Sequence, residues 1–229
     1  VVLVSLLGWI FGLFFKNPYL SVYVLIGAIV YVLISYFNSS KMALGLNKAK
    51  DISKKDNPRL FRIVENLSIT EGLPTPKIYI IDDKALNAFA TGRDPEHSSV
   101  AVTSGLLEIL NDKELEGVMA HELGHVKNYD IRVSMIVFFF FSVVAIISDI
   151  MIRSVWFRDT DEDNQAFFLI GILVAVLAPI AAMLIQLSIS RKREYLADAT
   201  GALTTRYPEG LASALEKLKS GGTVLRAQN

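Results

Sequence analysis

Apolar residues fall into two patterns along this chain. Long unbroken runs occupy Val1 to Phe15, Pro18 to Phe37, Ile131 to Ile152 and Ala166 to Ile189, and shorter amphipathic stretches lie between and after them. Three of the runs have the roughly 20 residues that a helix needs to cross hydrocarbon. The first run is shorter. It lacks the basic flank of a cleavable signal peptide, and only Lys16 and Asn17 separate it from the second, so the two read as one membrane hairpin. The last two runs read as a second hairpin, which makes four transmembrane helices.

The intervening segment, Asn38 to Asp130, carries shorter periods. Asn57-Pro58 followed by Leu60, Ile63, Val64 and Leu67 predicts a capped amphipathic helix ending near Gly72. Pro74-Thr75-Pro76 then breaks the chain. Lys77 to Ile81, Ala88 to Thr91 and Ser99 to Thr103 are short β-branched or apolar runs, expected to form a small antiparallel sheet, with Gly92 to Glu96 as a hairpin connection. Asn111 with Glu114 three residues on is a capping-box start for a helix running through His121 and His125. Tyr207-Pro208 opens a further amphipathic helix through Leu211, Leu215 and Leu218, expected to stop at Gly221-Gly222. The expected fold is therefore an α+β membrane protein, mostly helical, with a small antiparallel sheet next to the helix that carries His121 and His125. Its segments are an N-terminal hairpin (1–37), a first cytoplasmic part (38–130), a second hairpin (131–190) and a second cytoplasmic part (191–229).

Charge changes the picture through its distribution. Lys+Arg and Asp+Glu both number 23, so no global field points to nucleic acid. Basic residues follow the second run (Lys41, Lys48, Lys50, Lys54, Lys55) and the fourth (Arg191, Lys192, Arg193), whereas Asp159, Asp161, Glu162 and Asp163 lie between the third and fourth. The positive-inside rule then places the middle segment and the tail in the cytoplasm. Cysteine is absent, which excludes disulfides and thiolate metal sites and leaves His and carboxylate as the ligands for any metal.

Those ligands appear in His121-Glu122-Leu123-Gly124-His125. Histidines four apart on a helix share a face and can hold one ion, while Glu122 is placed to take a proton from water at that ion. A catalytic site needs a third protein ligand. No histidine follows His125, so the ligand is a carboxylate or His97, and Glu194 fits best. It lies 69 positions after His125, about the length of a membrane hairpin that returns to the same face. Asp198, one turn further on, is spaced to accept the free N–H of a ligating histidine. Plainer readings stand beside these: a structural metal, a solvated face pairing Glu194 and Asp198 with Arg191 and Arg193, an exposed His97, and Asp149 as an interfacial anchor.

Asn87-Ala88-Phe89-Ala90-Thr91-Gly92, the His121 to His125 motif and Ser190-Arg191-Lys192-Arg193-Glu194-Tyr195-Leu196-Ala197-Asp198, interleaved in that order with two hairpins, resemble the HtpX-type membrane-bound zinc metallopeptidases, relatives of the CAAX-prenyl endopeptidases. The resemblance covers essentially the whole chain. It implies one Zn2+ per chain bound by His121, His125 and Glu194, with Glu122 as catalytic base and Asp198 supporting a ligand. It also implies that Asn87, Ala88 and Phe89 form an edge strand that pairs with an extended substrate. Members of that family generally continue beyond the position matched by Asn229, so the second cytoplasmic part is expected to be truncated.

The function so implied is a multi-pass zinc endopeptidase of the cell (inner) membrane, its active site cytoplasmic. Its partners would be membrane-protein or unfolded-polypeptide substrates and the lipid bilayer, its role membrane-protein quality control under stress. Two other readings remain open: a dedicated processing protease, and a non-catalytic scaffold stapled by zinc. A transporter is disfavoured, because the polar constellation lies at the ends of spans and not at their midpoint.

Overall fold

The computed structural model describes residues 2–14, 16–17, 19–156, 176–177, 180, 183 and 191–227. In chain order the elements are α1 (Val2–Phe14), α2 (Tyr19–Leu46), β1 (Lys50–Asp51), α3 (Pro58–Glu71), β2 (Lys77–Ile81), β3 (Ala88–Gly92), β4 (Ser98–Thr103), α4 (Ser104–Ile109), α5 (Asp112–Lys127), α6 (Asp130–Trp156), α7 (described over 191–205) and α8 (Pro208–Ala227). Two compact units result. One is drawn from the described residues within 1–37 and 134–190, the other from 38–133 and 191–227.

In the first unit, Ala28, Val143, Val144 and Ile147 are buried together, with Ile10, Val24 and Tyr31 packed around them. The ring of Tyr31 meets Phe139 edge to face at 6.3 Å. Tyr19–Asn38 and Asp130–Ile150 are long and apolar enough to cross a membrane, with mean hydropathies of 2.2 and 2.4. The first expected span is described as a helix, α1, over 13 residues. The fourth lies almost wholly outside the described residues, so two of the four expected spans are present among those described. Asp149 pairs with Arg153 at 2.8 Å, one turn apart on α6, as suits an anchor near a helix end.

The second unit is built on a four-stranded sheet in the order β1-β2-β4-β3. The sheet is mixed, not antiparallel as expected: β3 and β4 form the anticipated hairpin, but β4 also lies parallel to β2, with Ile78 opposite Val100. The reason is topological. β2 and β3 run in opposite directions, so β4, inserted between them and antiparallel to its hairpin partner β3, runs parallel to β2. β4 is buried from Ser98 to Thr103, so its two sides are both occupied, while β3 is left as an edge.

Alternation sorts the sheet into two faces. Ile78, Val100 and Val102 join Leu60, Val64 and Leu67 of α3 and Leu115, Met119 and Leu123 of α5 in the main core. Ile81 and Ala101 bury the opposite face with Leu44 from the end of α2, and Tyr79 and Phe89 pack there. Asn57 caps α3 through the Leu60 N–H at 3.0 Å, and Gly72 closes it in the left-handed conformation at φ 69°. Arg59 bonds the Leu107 and Leu110 carbonyls at the end of α4 and Asp112 at the start of α5. α8 packs along α5, and it continues past Gly221-Gly222 to Ala227, beyond the expected stop. Glycine costs only about 1 kcal/mol in a helix interior, too little to end one by itself.

Candidate metal centre

The capping box predicted for α5 is formed: the Asn111 side chain accepts from the Glu114 N–H at 3.0 Å, and Glu114 accepts from the Asn111 N–H at 2.9 Å. A helix so fixed carries His121 and His125 on one face, their rings edge to face with centroids 4.7 Å apart. The third member arrives on α7, which crosses α5 at small residues. A Cβ on Gly201 would lie 3.1 Å from the His121 backbone nitrogen, and one on Gly124 would lie 3.3 Å from the Ala197 carbonyl oxygen. A side chain at either position would press on the facing backbone, so glycine eases the close approach that brings Glu194 to the histidines.

His121 Nε2 and His125 Nε2 are 3.2 Å apart, and Glu194 Oε2 lies 3.5 Å from the first and 3.7 Å from the second. Among the described residues, this is the group whose ligand atoms all fall within 4.8 Å of one another. Tetrahedral bonds of about 2.0 to 2.1 Å put neighbouring donor atoms about 3.3 Å apart, so the triangle has the size of a metal cradle.

The outward nitrogens sharpen the fit. His125 Nδ1 meets Asp130 Oδ2 at 3.1 Å. His121 Nδ1 is buried and lies 2.8 Å from Asp198 Oδ1, near enough for an ion pair but off the line of a well-formed hydrogen bond. With both Nδ1 atoms turned toward carboxylates, the Nε2 lone pairs face each other and Glu194, an arrangement that a cation at their centre satisfies. Burial lowers the His121 pKa, helped by the neighbouring His125, which favours the neutral ring that a metal requires.

Glu122, next to His121 in the chain, reaches the edge strand β3. Its Oε2 accepts the Ala90 N–H at 2.9 Å, and burial raises its pKa to about 7. A carboxyl so placed exchanges a proton near neutral pH. His97, the other candidate for third ligand, is exposed and bonded to Asp94 at 2.7 Å, outside the cluster.

The predicted substrate residues divide by register. Asn87 is tied to Thr103, its N–H donating to Oγ1 and its carbonyl accepting the Thr103 N–H, both at 3.0 Å. In an antiparallel pair these groups alternate, so Phe89, opposite Ala101, also faces β4, whereas Ala88 and Ala90 turn their main-chain groups to the free edge. The Phe89 side chain packs on the face opposite α5. Beneath Ala88 a cavity of about 130 Å³ opens beside His121 and Glu122, lined by Leu86, Leu106, Val118, Leu211, Leu215 and Leu218.

Asp130 and Arg193 were missed by the sequence reading. Five residues from His125, Asp130 would sit about 140° round a continuous helix. Instead Asn128 ends α5, and Tyr129, at φ 58°, turns the chain so that Asp130 comes back under the histidine. That left-handed residue costs about 1 to 2 kcal/mol, and periodicity gives no hint of it. The cost is offset in part by the Arg132 guanidinium stacked 4.7 Å over the Tyr129 ring.

Two histidines one turn apart, a carboxylate from a second helix and a partly buried glutamate held by an edge strand define the class of HExxH metal-dependent hydrolases. The comparisons make the class specific: residues 54–224 match Peptidase family M48, and the chain belongs to that family. It is similar to the Protease HtpX homolog of Tropheryma whipplei (strain Twist), 60% identical over 209 residues that cover 90% of this chain and 72% of that protein. It is also similar to the Protease HtpX homolog of Lactobacillus helveticus (strain DPC 4571), 43% identical over 99% of this chain and 80% of that one. Among solved structures, S. mikatae Ste24p matches with a TM-score of 0.58 at 25% identity, over 95% of this chain and 54% of that one. The chain thus spans about half the length of that relative.

Proposed function

We propose that this chain is a zinc-dependent endopeptidase that hydrolyses peptide bonds by direct attack of water. The observation that carries the reading is the convergence of His121 Nε2, His125 Nε2 and Glu194 Oε2, with the Glu122 carboxyl held by the edge strand beside them. Two neutral imidazoles and one carboxylate are a donor set suited to zinc. Zinc bound there supplies a Lewis acid that polarises the scissile carbonyl and acidifies water.

The remaining steps belong to the protein. Glu122 takes the proton of the attacking water and delivers it to the leaving nitrogen, so no covalent enzyme intermediate forms. The free main-chain groups of Ala88 and the carbonyl of Ala90 pair with an extended substrate. The leucine-lined cavity beside His121 takes one apolar substrate side chain, and Asp198 steadies His121.

The active site faces the cytoplasm in this reading, supported by the basic residues that follow the second and fourth apolar runs. Its substrates are unfolded or misassembled membrane proteins, and its role is quality control under stress. The supports are the two apolar helices and the relatives that carry the name Protease HtpX homolog. The test is cleavage of an unfolded casein-like chain and of a membrane protein with an exposed loop, by purified parent and Glu122→Gln proteins in detergent. The expected result is about one zinc in each protein and cleavage by the parent alone, lost on chelation and restored with zinc. Zinc-loaded parent that cleaves nothing would overturn the reading.

A further inference from the structure

Asp130 is buried, with 4% of its surface exposed, and it uses both carboxylate oxygens on the metal centre's supports. Oδ2 meets His125 Nδ1 at 3.1 Å, and Oδ1 accepts from the Arg193 guanidinium. Arg193 immediately precedes Glu194. One side chain therefore touches a histidine of α5 on one side and the residue next to the α7 carboxylate on the other.

We propose that Asp130 is a positioning residue that locks the two halves of the metal cradle to each other, with Arg193 as its second arm. The two halves come from helices 69 positions apart in the chain, and the close crossing at Gly124 and Gly201 sets only the distance between α5 and α7. It leaves the roll of α7 and the ring orientation of His125 to be fixed by polar contacts. Asp130 fixes both: it holds Nδ1 of His125 so that Nε2 faces inward, and it holds Arg193 so that the next residue presents Glu194. The Asp198 contact to His121 cannot substitute, because it acts on the other histidine and from the far side of Glu194. A buried carboxylate between two such partners is costly unless both are present, so the two arms act as one unit.

The inference rests on His121, His125 and Glu194 being a metal cradle, and zinc binding by the parent tests that premise separately. Zinc dissociation constants are measured by chelator competition on detergent-purified full chain for the parent, Asp130→Asn, Arg193→Gln, Arg193→Lys and the Asp130→Asn/Arg193→Gln double variant. Cobalt-substituted visible spectra report ligand geometry, and far-UV circular dichroism reports fold. Loss of either arm is expected to weaken zinc binding about 10- to 100-fold. The double variant should be no weaker than the worse single one, Arg193→Lys should recover part of the loss, and the cobalt spectrum should change while helical content stays at the parent level.

Parent-like affinity in either single variant, or additive losses in the double, overturns the lock while leaving the cradle intact. Absence of zinc binding in the parent overturns both. Should Asp130→Asn fail to fold, Arg193→Gln decides alone: Arg193 is partly exposed and is not one of the three cradle residues, so unchanged zinc affinity there refutes the proposal.

Discussion

The main-chain N–H of Ala90 donates to Oε2 of Glu122 across 2.9 Å, joining the free edge of the sheet to the carboxylate beside the two histidines. The strand that would hold a substrate thereby also holds the base. Because this N–H points away from β4, its removal leaves the sheet's own ladder intact. Ala90→Pro is therefore expected to keep the fold and the zinc affinity of the parent and to lower kcat about 10- to 100-fold, the worth of one hydrogen bond to a charged group. Steady-state kinetics beside a zinc titration check it, and a parent-like kcat would show that Glu122 needs no such tether.

The helix crossing gives a second expectation. A Cβ at position 201 already sits 3.1 Å from the His121 nitrogen, and two further methyl groups have nowhere to go but into the backbone of α5. Gly201→Val should push α7 off α5, costing about 1 to 3 kcal/mol of stability and loosening zinc because Glu194 moves with the helix. Thermal unfolding with and without zinc separates the effects: the stabilisation that zinc confers should shrink as well as the baseline melting temperature. An undiminished zinc shift would mean that the crossing does not position Glu194.

Much of this arrangement is legible in the chain. Asn57-Pro58, the Asn111 and Glu114 box and the HExxH spacing are local signals with local causes, and the structure forms the helices they predict. Glu194 was reachable because hairpin length constrains where a chain returns to a membrane surface, and it lies within 3.7 Å of both histidines. What failed was of two kinds. The parallel pairing of β2 with β4 depends on insertion of a later strand between earlier ones, which no strand's own pattern encodes. Asp130 depends on a left-handed tyrosine, a conformation that sequence statistics assign to glycine or asparagine. A carboxylate stands five residues after the second histidine, but helical periodicity gives no reason to place it at the site.

The cavity yields a prediction about selectivity. At about 130 Å³, lined by Leu86, Leu106, Val118 and the three leucines of α8, it suits an aliphatic side chain better than a charged one. Leu215 is half exposed at its rim, so it can be enlarged without disturbing the core. Leu215→Trp is expected to leave zinc affinity unchanged and to shift preference toward smaller side chains, by about 10- to 200-fold in kcat/KM between alanine and leucine substrates. A peptide series varied at that one position measures it, and an unaltered ratio would place substrate side chains elsewhere.

Acid stability follows from Glu114, whose buried carboxylate receives the Lys217 ammonium at 2.7 Å, the Ser213 hydroxyl at 2.7 Å and the Asn111 N–H. The Lys217 hydrogen bond, aided by those from Asn111 and Ser213 against the opposing effect of burial, lowers its pKa from 4.5 to about 2. A carboxyl whose pKa is lower folded than unfolded stabilises the fold above its unfolded value and loses that contribution as pH falls toward the folded one. The contribution is therefore full at pH 7, begins to fade below about 4.5 and is gone below about 2. Lys217→Met removes the largest cause and should destabilise the protein at pH 7 by about 1 to 3 kcal/mol, the lower part of that range applying because Lys217 is partly exposed. The gap in melting temperature between parent and variant should narrow steadily between pH 4.5 and pH 2, because protonating Glu114 removes in the parent what the mutation has already removed. A gap constant over that interval would show that Lys217 supports α8 through its aliphatic stem and not through the carboxylate.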